Sequence, residues 1–393
     1  MGNYAKSAAL VIIGGIAMYF QLNTGGKKSS KTQREDPVAE PSLVKLAFMF
    51  RHGERSPLNS RINDPYPIDD LKYWPEGVGA LTKVGKKNAY LLGKRLRKRY
   101  DAILTPHYSK KDFVALSTKV DRTLMSAYLV LAGLYPPANH QKWSEELDWM
   151  PIPVFHNTVF NKTNCFSCPR FRYEVIKLAK SVNADLFAPL AKFLEEKANL
   201  KLKRPQRSPI MWELFTLCDS LGLQKRQGYK VEEWADEYLD LSSSLMHEMF
   251  LIFTTKTDVQ RQLSSSLVAD YLLQFMDDSS KVSMFSAHDL TLYMLAAALG
   301  YDLQHPPHPT ACIMVEFHDV NEEKLVKAFY IKETNGEMLP IEMSCGKTCS
   351  LASFKEMLLR TKPADYDDLC NTLPDNSYAD PFLESIISRF SPE

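Results

Sequence analysis

Short apolar runs alternate with amphipathic segments in three places along the chain. The runs have the length of strands and are apolar nearly throughout: LVKLAFMF at 43–50, FVALS at 113–117 and VSMFS at 282–286. Each is followed by apolar residues at helical spacing, over 82–100, about 120–131 and about 291–299. A strand that is apolar throughout is typical of a parallel sheet covered on both faces. The repeated strand–helix order therefore predicts an α/β fold, with a mostly parallel central sheet flanked by helices.

The segment at 151–270 separates the second of these units from the third and differs from both. It is helical in pattern and has no obvious buried strand, so we interpret it as a largely helical inserted cap. The α/β core is then discontinuous in sequence, with 43–150 before the cap and 271–345 after it. We expect residues 346–393 to form a C-terminal segment packed on the core.

The first 25 residues have a pattern of their own. An apolar run from Ala8 to Leu22 has the length of a signal-peptide core and is short for a bilayer span. A retained signal anchor is the alternative, but it would place the basic residues of a polar linker at 26–42 on the exported side, which the positive-inside tendency disfavours. We therefore expect a secreted or lysosomal protein, with membrane attachment only if the segment is retained. Export would also make Asn161, in the sequon NKT, a glycosylation site.

Composition and charge narrow the possible partners. Of the 393 residues, 45% are apolar and 24% are charged, which is ordinary for a globular protein. Lys and Arg number 48 against 47 Asp and Glu, so the chain lacks the basic excess that makes nucleic acid an expected partner. The seven cysteines include no set at metal-ligand spacing, so a structural zinc site is not expected.

Polar residues suited to phosphate chemistry stand where two of the predicted strands end. The first strand runs into RHGERSP, which supplies Arg51, His52 and Arg55, and the third ends in His288 and Asp289. In open α/β sheets, ligands bind outside the carboxyl ends of the strands, so the two groups are expected to converge.

The residue types in these two groups indicate phosphoryl transfer. Two arginines beside a histidine suit a tetrahedral oxyanion, because guanidinium groups bind phosphate oxygens in pairs. His52 can then attack phosphorus, while Asp289 protonates the leaving alkoxide and later activates water, with no metal or cofactor required. Each motif alone has a structural interpretation, a surface loop for RHG and a helix N-cap for Asp289, but their joint occurrence favours catalysis.

Further motifs make the chain resemble a known family. They are WPEGVGALTKVG (74–85), RKRY (97–100), VDRTLMSA (120–127), CPRF (168–171) and CGKTC (345–349). With RHGERSP and SAHD, they resemble the histidine acid phosphatases of the prostatic and lysosomal type, in the phosphoglycerate mutase-like superfamily. The resemblance implies that His52 is the nucleophile, that Asp289 is the proton donor, and that Arg51, Arg55 and His288 bind phosphate. It also implies a small-molecule or protein phosphomonoester as substrate and makes a homodimer plausible.

The same resemblance implies a disulfide pattern that spacing alone does not give. It pairs Cys168 with Cys370, Cys218 with Cys312, and Cys345 with Cys349, and leaves Cys165 unpaired. Buried free thiols at Cys218 and Cys312 are the alternative if the protein is cytosolic.

One departure from the family pattern bears on turnover. The family carries a further phosphate-binding arginine before VDRT, and the segment FVALSTKVDRT has Leu116 at that position. Losing such a donor typically costs ~10²–10³ in kcat, so the alternative function is a phosphatase-fold binding protein with weak or no turnover. Lys119 is a possible substitute, but it lacks the guanidinium fork, and we interpret Arg122 as a structural anchor.

Overall fold

The computed structural model describes residues 36–61, 63–156, 165–181, 184–200 and 210–374. Its strands are β1 (Leu43–Arg51), β2 (Phe113–Ser117), β3 (Phe155–His156), β4 (Val282–Ala287), β5 (Cys312–Val320), β6 (Glu323–Ile331), β7 (Met338–Ile341) and β8 (Thr348–Ser350). Its helices are α1 (Lys83–Arg99), α2 (Asp121–Leu134), α3 (Pro169–Ser181), α4 (Ala184–Ala198), α5 (Ile210–Arg226), α6 (Ala235–Ile252), α7 (Asp258–Asp277), α8 (Asp289–Ala298), α9 (Leu351–Arg360) and α10 (Tyr366–Asn371).

These strands form one mixed sheet in the order β3-β2-β4-β1-β5-β6-β7, with β8 pairing to β6. The pairs β3–β2, β2–β4 and β4–β1 are parallel, and β5, β6 and β7 continue the sheet antiparallel. The prediction of an α/β fold with a mostly parallel central sheet and flanking helices is therefore confirmed. The predicted bounds of β2 coincide with the observed ones because turn residues end the apolar run on both sides.

The core lies on both faces of this sheet, as the apolar pattern of β1 predicts. Leu46, Phe48 and Phe50 point to one face, where they join the buried side chains of α1 and α2. Ala47 and Met49 point to the other face and join buried residues of the cap helices. Successive side chains of a strand alternate between faces, so a strand covered on both sides must be apolar at nearly every position.

Between β3 and β4, the described residues are mainly helical, from α3 to α7. Strand β3 itself falls inside the segment that the sequence pattern assigns to helices, and it forms an edge of the sheet beside β2. After the sheet, α9 and α10 place Phe354, Leu358 and Cys370 in the same buried cluster as the cap residues.

Two of the three disulfides implied by the family resemblance are confirmed, and one is wrong. The structure joins Cys168 to Cys370 and Cys345 to Cys349. Cys218 and Cys312 are free thiols, as is Cys165. The physical reason is the alternation of β5: Cys312 points to the face covered by α1 and α2, whereas Cys218 of α5 packs against the cluster on the opposite face.

Two sequence features lie outside the described residues: the apolar run Ala8–Leu22 and the sequon at Asn161. Within the ranges that are described, none of the helices is both long enough and apolar enough to span a bilayer.

Candidate active site

The polar ends of β1 and β4 lie side by side. The two strands are parallel neighbours, and their register places Arg51 beside Ala287, immediately before His288. The backbone N–H of His52 donates to the carbonyl of Ala287 at 3.0 Å, which carries the pairing one residue further. The expectation that the two sequence groups converge is therefore met by strand order and register.

A tight contact between two glycines holds the loop that follows β1. A Cβ on Gly53 would lie 2.5 Å from the carbonyl oxygen of Gly85, and one on Gly85 would lie 2.0 Å from that of Glu54. The N–H of Gly53 donates to Ser126 Oγ of α2 at 2.9 Å. Any larger side chain at either glycine would push the loop away from α1, so RHG and the glycine of the TKVG segment depend on each other.

The imidazole of His52 is buried, and its contact with the Gly53 carbonyl defines which ring nitrogen carries the proton. Its Nδ1 lies 2.8 Å from the Gly53 carbonyl, which can only accept a hydrogen, so Nδ1 carries the proton and Nε2 holds the lone pair. Burial lowers the pKa of His52 well below its ordinary value, and the charges of Arg122 and Arg51 lower it further. Both effects favour the neutral ring, with the lone pair of Nε2 available.

Arg122, which the sequence analysis interprets as a structural anchor, lies in the site beside His52. Its Nε donates to His52 Nε2 at 3.1 Å. Burial lowers the pKa of Arg122 to about 10, with the charges of Arg55 and Arg51 adding to the effect, because three guanidinium groups share the site. The signal that would have located it is its position in the first turn of α2, directly after the end of β2, which neighbours β4.

Leu116 and Lys119 have the surroundings of a packed apolar residue and of a surface residue, respectively. Leu116 of β2 packs with the apolar cluster on the cap face of the sheet, and Lys119 is exposed. Arg122 is therefore the third arginine of the site, beside Arg51 and Arg55, and neither Leu116 nor Lys119 supplies that charge.

His288 flanks the nucleophile as a neutral group. Its ring meets that of His52 edge to face with centroids 5.5 Å apart, and its Nε2 lies 3.0 Å from Thr118 Oγ1. Burial lowers the pKa of His288 to about 3, and the charge of Arg122 contributes, while Asp289 opposes the shift. In the free site, the lowered pKa favours the neutral form of His288.

Asp289 opens helix α8 and pairs with Arg51. Its Oδ2 lies 2.8 Å from Arg51 Nη2, and its Oδ1 accepts the N–H of Leu290 at 2.8 Å. Burial raises the pKa of Asp289, but Arg51, His288 and this N–H outweigh it and hold the pKa below the ordinary value. The helix starts at Asp289, with His288 at its N-cap, so the carboxylate also lies at the positive end of the helix dipole.

The two arginines of RHGER are held by different elements. Arg51 donates from Nη1 to the Pro307 carbonyl at 2.7 Å, while its buried Nε has no hydrogen-bond partner among the described residues. Arg55 donates to Asp219 of cap helix α5, from Nη1 at 3.0 Å and from Nη2 at 3.4 Å. A buried guanidinium N–H without a partner is costly unless a ligand satisfies it, which suits an anion at this position.

This arrangement of a buried histidine among three arginines, with a carboxylate alongside, suits the binding of phosphate on an α/β fold. Comparison with known proteins agrees. A family model for the histidine phosphatase superfamily (branch 2) matches residues 42–332. Because the match spans most of the sequence, the chain belongs to that family.

Curated relatives are acid phosphatases. Prostatic acid phosphatase of Rattus norvegicus is 30% identical over 354 residues, covering 86% of this chain and 91% of the relative. Lysosomal acid phosphatase of Xenopus laevis is 28% identical over 360 residues, covering 86% of this chain and 81% of the relative. The family and these relatives support phosphomonoester hydrolysis by this chain, and the alternative of a binding protein without turnover is not supported over it.

Solved structures of phytases share the fold. The phytase from Citrobacter braakii superposes with a TM-score of 0.62 at 14% identity, covering 84% of this chain and 100% of the phytase. The phytase from Klebsiella sp. ASR1 gives 0.60 at 13% identity, covering 85% and 100%. At sequence identities this low, the similarity shows a shared fold and nothing further.

Proposed function

We propose that the chain is an acid phosphatase that hydrolyses small-molecule or protein phosphomonoesters through a phosphohistidine at His52. The observation that carries the proposal is the state of His52: buried, neutral, with Nε2 free of a proton and directed at Arg122. Phosphate binds to Arg51, Arg55, His288 and Arg122, and the unpartnered Nε of Arg51 gains an acceptor.

The reaction proceeds in two displacements at phosphorus. Nε2 of His52 forms a bond to phosphorus as the ester P–O bond breaks, and Asp289 gives its proton to the departing oxygen. A water then attacks the phosphohistidine, losing its proton to Asp289, and His52 leaves as the neutral ring. The arginines stabilise the charge on the equatorial phosphate oxygens in both steps.

Asp289 must be protonated for the first step, and bound phosphate makes this possible. In the free site, Arg51 keeps the carboxyl ionised through a 2.8 Å ion pair. A phosphoryl dianion on the arginines offsets their positive charge, which removes the main cause of the lowered pKa of Asp289. Acidic solution favours the same protonation, and burial, the largest cause of the lowered pKa of His52, still favours its neutral ring when the arginine charges are offset.

The test is to trap the intermediate. Full-length protein and His52→Ala are assayed with an aryl phosphate across pH 4 to 8, and samples quenched in alkaline denaturant are examined by mass spectrometry for base-stable, acid-labile phosphohistidine at residue 52. His140→Ala, an exposed histidine outside the site, is the control. We expect turnover and the adduct in wild type and control, and neither in His52→Ala. Turnover that persists in His52→Ala would overturn the proposal.

We propose that the enzyme is exported to a secreted or lysosomal location. The pairs Cys168–Cys370 and Cys345–Cys349 support this, because disulfides persist in oxidising compartments. Expression of the full chain in animal cells tests it: we expect protein in the medium or lysosomes that shifts on glycosidase treatment, and no shift in Asn161→Gln. Retention in the cytosol would contradict the proposal.

We also propose a homodimer formed through the β3 edge of the sheet. Phe155 on this strand is 57% exposed, and Tyr128, which is 41% exposed, lines an apolar groove with Trp149 and with Pro153, two residues before Phe155. Exposed apolar side chains at a sheet edge are typical of a surface that another copy covers. Light scattering should give a dimer for wild type and a monomer for Phe155→Lys, with Leu339→Lys on edge strand β7 as the matched control. A monomeric wild type would overturn it.

A further inference from the structure

Cap helix α5 contacts the loop of residues 51–55, here called the phosphate loop, through two ion pairs of opposite polarity. Asp219 of the helix meets Arg55 of the loop, and Arg226 of the helix donates from Nε to Glu54 Oε2 at 2.6 Å. Asp219 and Arg226 are seven residues apart, two turns, and therefore lie on one face of α5. Glu54 and Arg55 carry opposite charges, as do Arg226 and Asp219 of the helix. Both ion pairs can therefore form in only one orientation of α5 along the loop.

Some of the N–H donors of Arg55 bind protein acceptors, and the others are available for a phosphate. A guanidinium has five N–H groups. Nη1 donates to the Ser56 carbonyl at 3.1 Å and to Asp219 Oδ2 at 3.0 Å, and Nη2 gives one hydrogen to Asp219 Oδ1 at 3.4 Å. Among the described residues, Nε–H and the second hydrogen of Nη2 have no acceptor, and these two lie on the same edge of the guanidinium, the geometry that binds a phosphate in bidentate fashion.

We propose that Asp219 is a positioning residue: by holding one edge of Arg55, it presents the other edge to the phosphoryl group. The pair is largely buried, with 8% of the Arg55 side chain and 19% of the Asp219 side chain exposed. An arginine fixed before the substrate arrives loses less conformational entropy on binding than a free one. This inference rests on the proposed role of Arg55 in phosphate binding.

A consequence is that the cap sets the phosphate affinity of the core. Asp219 belongs to the inserted cap, whereas Arg55 follows β1, 164 residues earlier. Glu54, the residue before Arg55, accepts hydrogen bonds from Arg226 Nε and, at 2.5 Å, from Gln227 Nε2. These contacts attach the phosphate loop to α5 at a second position. Displacement of α5 would therefore release Arg55 while leaving His52 in place at the end of β1.

The test measures inhibition by inorganic phosphate, together with KM and kcat for an aryl phosphate, in the full chain. Asp219→Asn keeps the shape of the side chain and removes its charge, and Asp219→Glu restores the charge. Glu232→Gln is the matched control, because Glu232 also joins the cap to the core, through Arg61 at 2.7 Å, away from the phosphate loop. Arg55→Gln tests the proposed function separately, and thermal unfolding of each variant reports on folding.

We expect Asp219→Asn to raise the Ki of phosphate and the KM by about 2- to 10-fold, more than it changes kcat, with recovery in Asp219→Glu. Glu232→Gln should leave the Ki unchanged. An unchanged Ki in Asp219→Asn, a lower Ki, or an equal rise in Glu232→Gln would each overturn the positioning role. If Arg55→Gln leaves the Ki unchanged, the assignment of Arg55 to phosphate binding fails, and the role of Asp219 with it.

Discussion

Arg122 Nε lies 3.1 Å from His52 Nε2, the nitrogen that the contact with the Gly53 carbonyl leaves unprotonated. The same guanidinium follows burial as the largest influence that lowers the pKa of His52. One residue therefore keeps the nucleophile neutral and also faces the place where phosphate oxygens must lie during attack.

Replacing Arg122 should reduce activity and change its pH dependence. We expect Arg122→Gln to lower kcat/KM by ~10²–10³, because one preorganised charge is lost from the transition state. The pKa of His52 should rise when this positive charge is removed, so the acidic limb of the pH profile should move to higher pH. Profiles of kcat/KM for wild type, Arg122→Gln and the exposed control Lys119→Gln measure both effects. A variant with full activity would show that Arg122 only anchors structure.

The role of Asp289 predicts a dependence on the leaving group. A good leaving group such as nitrophenolate needs little protonation, whereas an alkoxide needs a proton in the transition state. Asp289→Asn should therefore lower kcat/KM by ~10²–10⁴ for alkyl phosphates and by much less for nitrophenyl phosphate. Rates for a series of esters with graded leaving-group pKa values measure this. Equal losses across the series would exclude a role as general acid.

The apolar pattern predicted much of what places the site. A strand apolar at every position must be covered on both faces, and parallel neighbours end at the same edge, so β1 and β4 bring Arg51 and His288 together. These are local properties of the chain and of sheet geometry, and both can be read from sequence.

Contacts that depend on orientation or on distant segments could not be predicted in this way. The face to which Cys312 points depends on the register of β5, so a pairing with Cys218 looked possible until the sheet was known. Asp219 reaches Arg55 from a helix 164 residues later, and no local pattern identifies such a partner. The contact of Arg122 with His52 depends on where the first turn of α2 lies relative to β1.

Leu116→Arg tests whether this position ever served the site. Leu116 packs in the apolar cluster, so an arginine there must bury a charge or distort β2, at a cost of about 1–3 kcal/mol in the free energy of unfolding. We expect a lower Tm and no gain in kcat/KM, with Leu116→Met as the volume-matched control. A gain in activity would mean that the site lacks a phosphate ligand.

The number of free thiols per chain can be measured directly. Three thiols, Cys165, Cys218 and Cys312, are free in the structure. Alkylation of denatured, unreduced protein should therefore add three groups per chain, and mass mapping should place two of them on Cys218 and Cys312. Reduction before alkylation is the control and should add seven. A single modified thiol per chain would mean that Cys218 and Cys312 are joined after all.

A buried carboxylate far from the cap predicts how stability changes with pH. Glu316 on β5 is 1% exposed and accepts hydrogen bonds from Arg99 Nη2 at 2.6 Å and from the Tyr100 hydroxyl at 2.7 Å. Its other oxygen lies 3.1 Å from His318 Nε2. Burial raises the pKa of Glu316, but His318 and Arg99 outweigh it, so the folded pKa lies below the ordinary 4.5.

Because the folded pKa is lowered, ionised Glu316 stabilises the protein above the unfolded pKa, and this contribution is lost as the pH falls through the folded value. Glu316→Gln leaves Arg99 buried without its partner and should cost about 3–5 kcal/mol near neutrality. The difference from wild type should begin to shrink as the pH falls below 4.5, where the carboxyl of the unfolded chain takes up protons, and should go on shrinking as the pH falls through the lower folded pKa. Urea unfolding at several pH values measures it, with Glu145→Gln, which breaks an exposed pair with Lys142, as the control. A penalty that stays constant down to pH 3 would mean that packing, and not charge, is what Glu316 contributes.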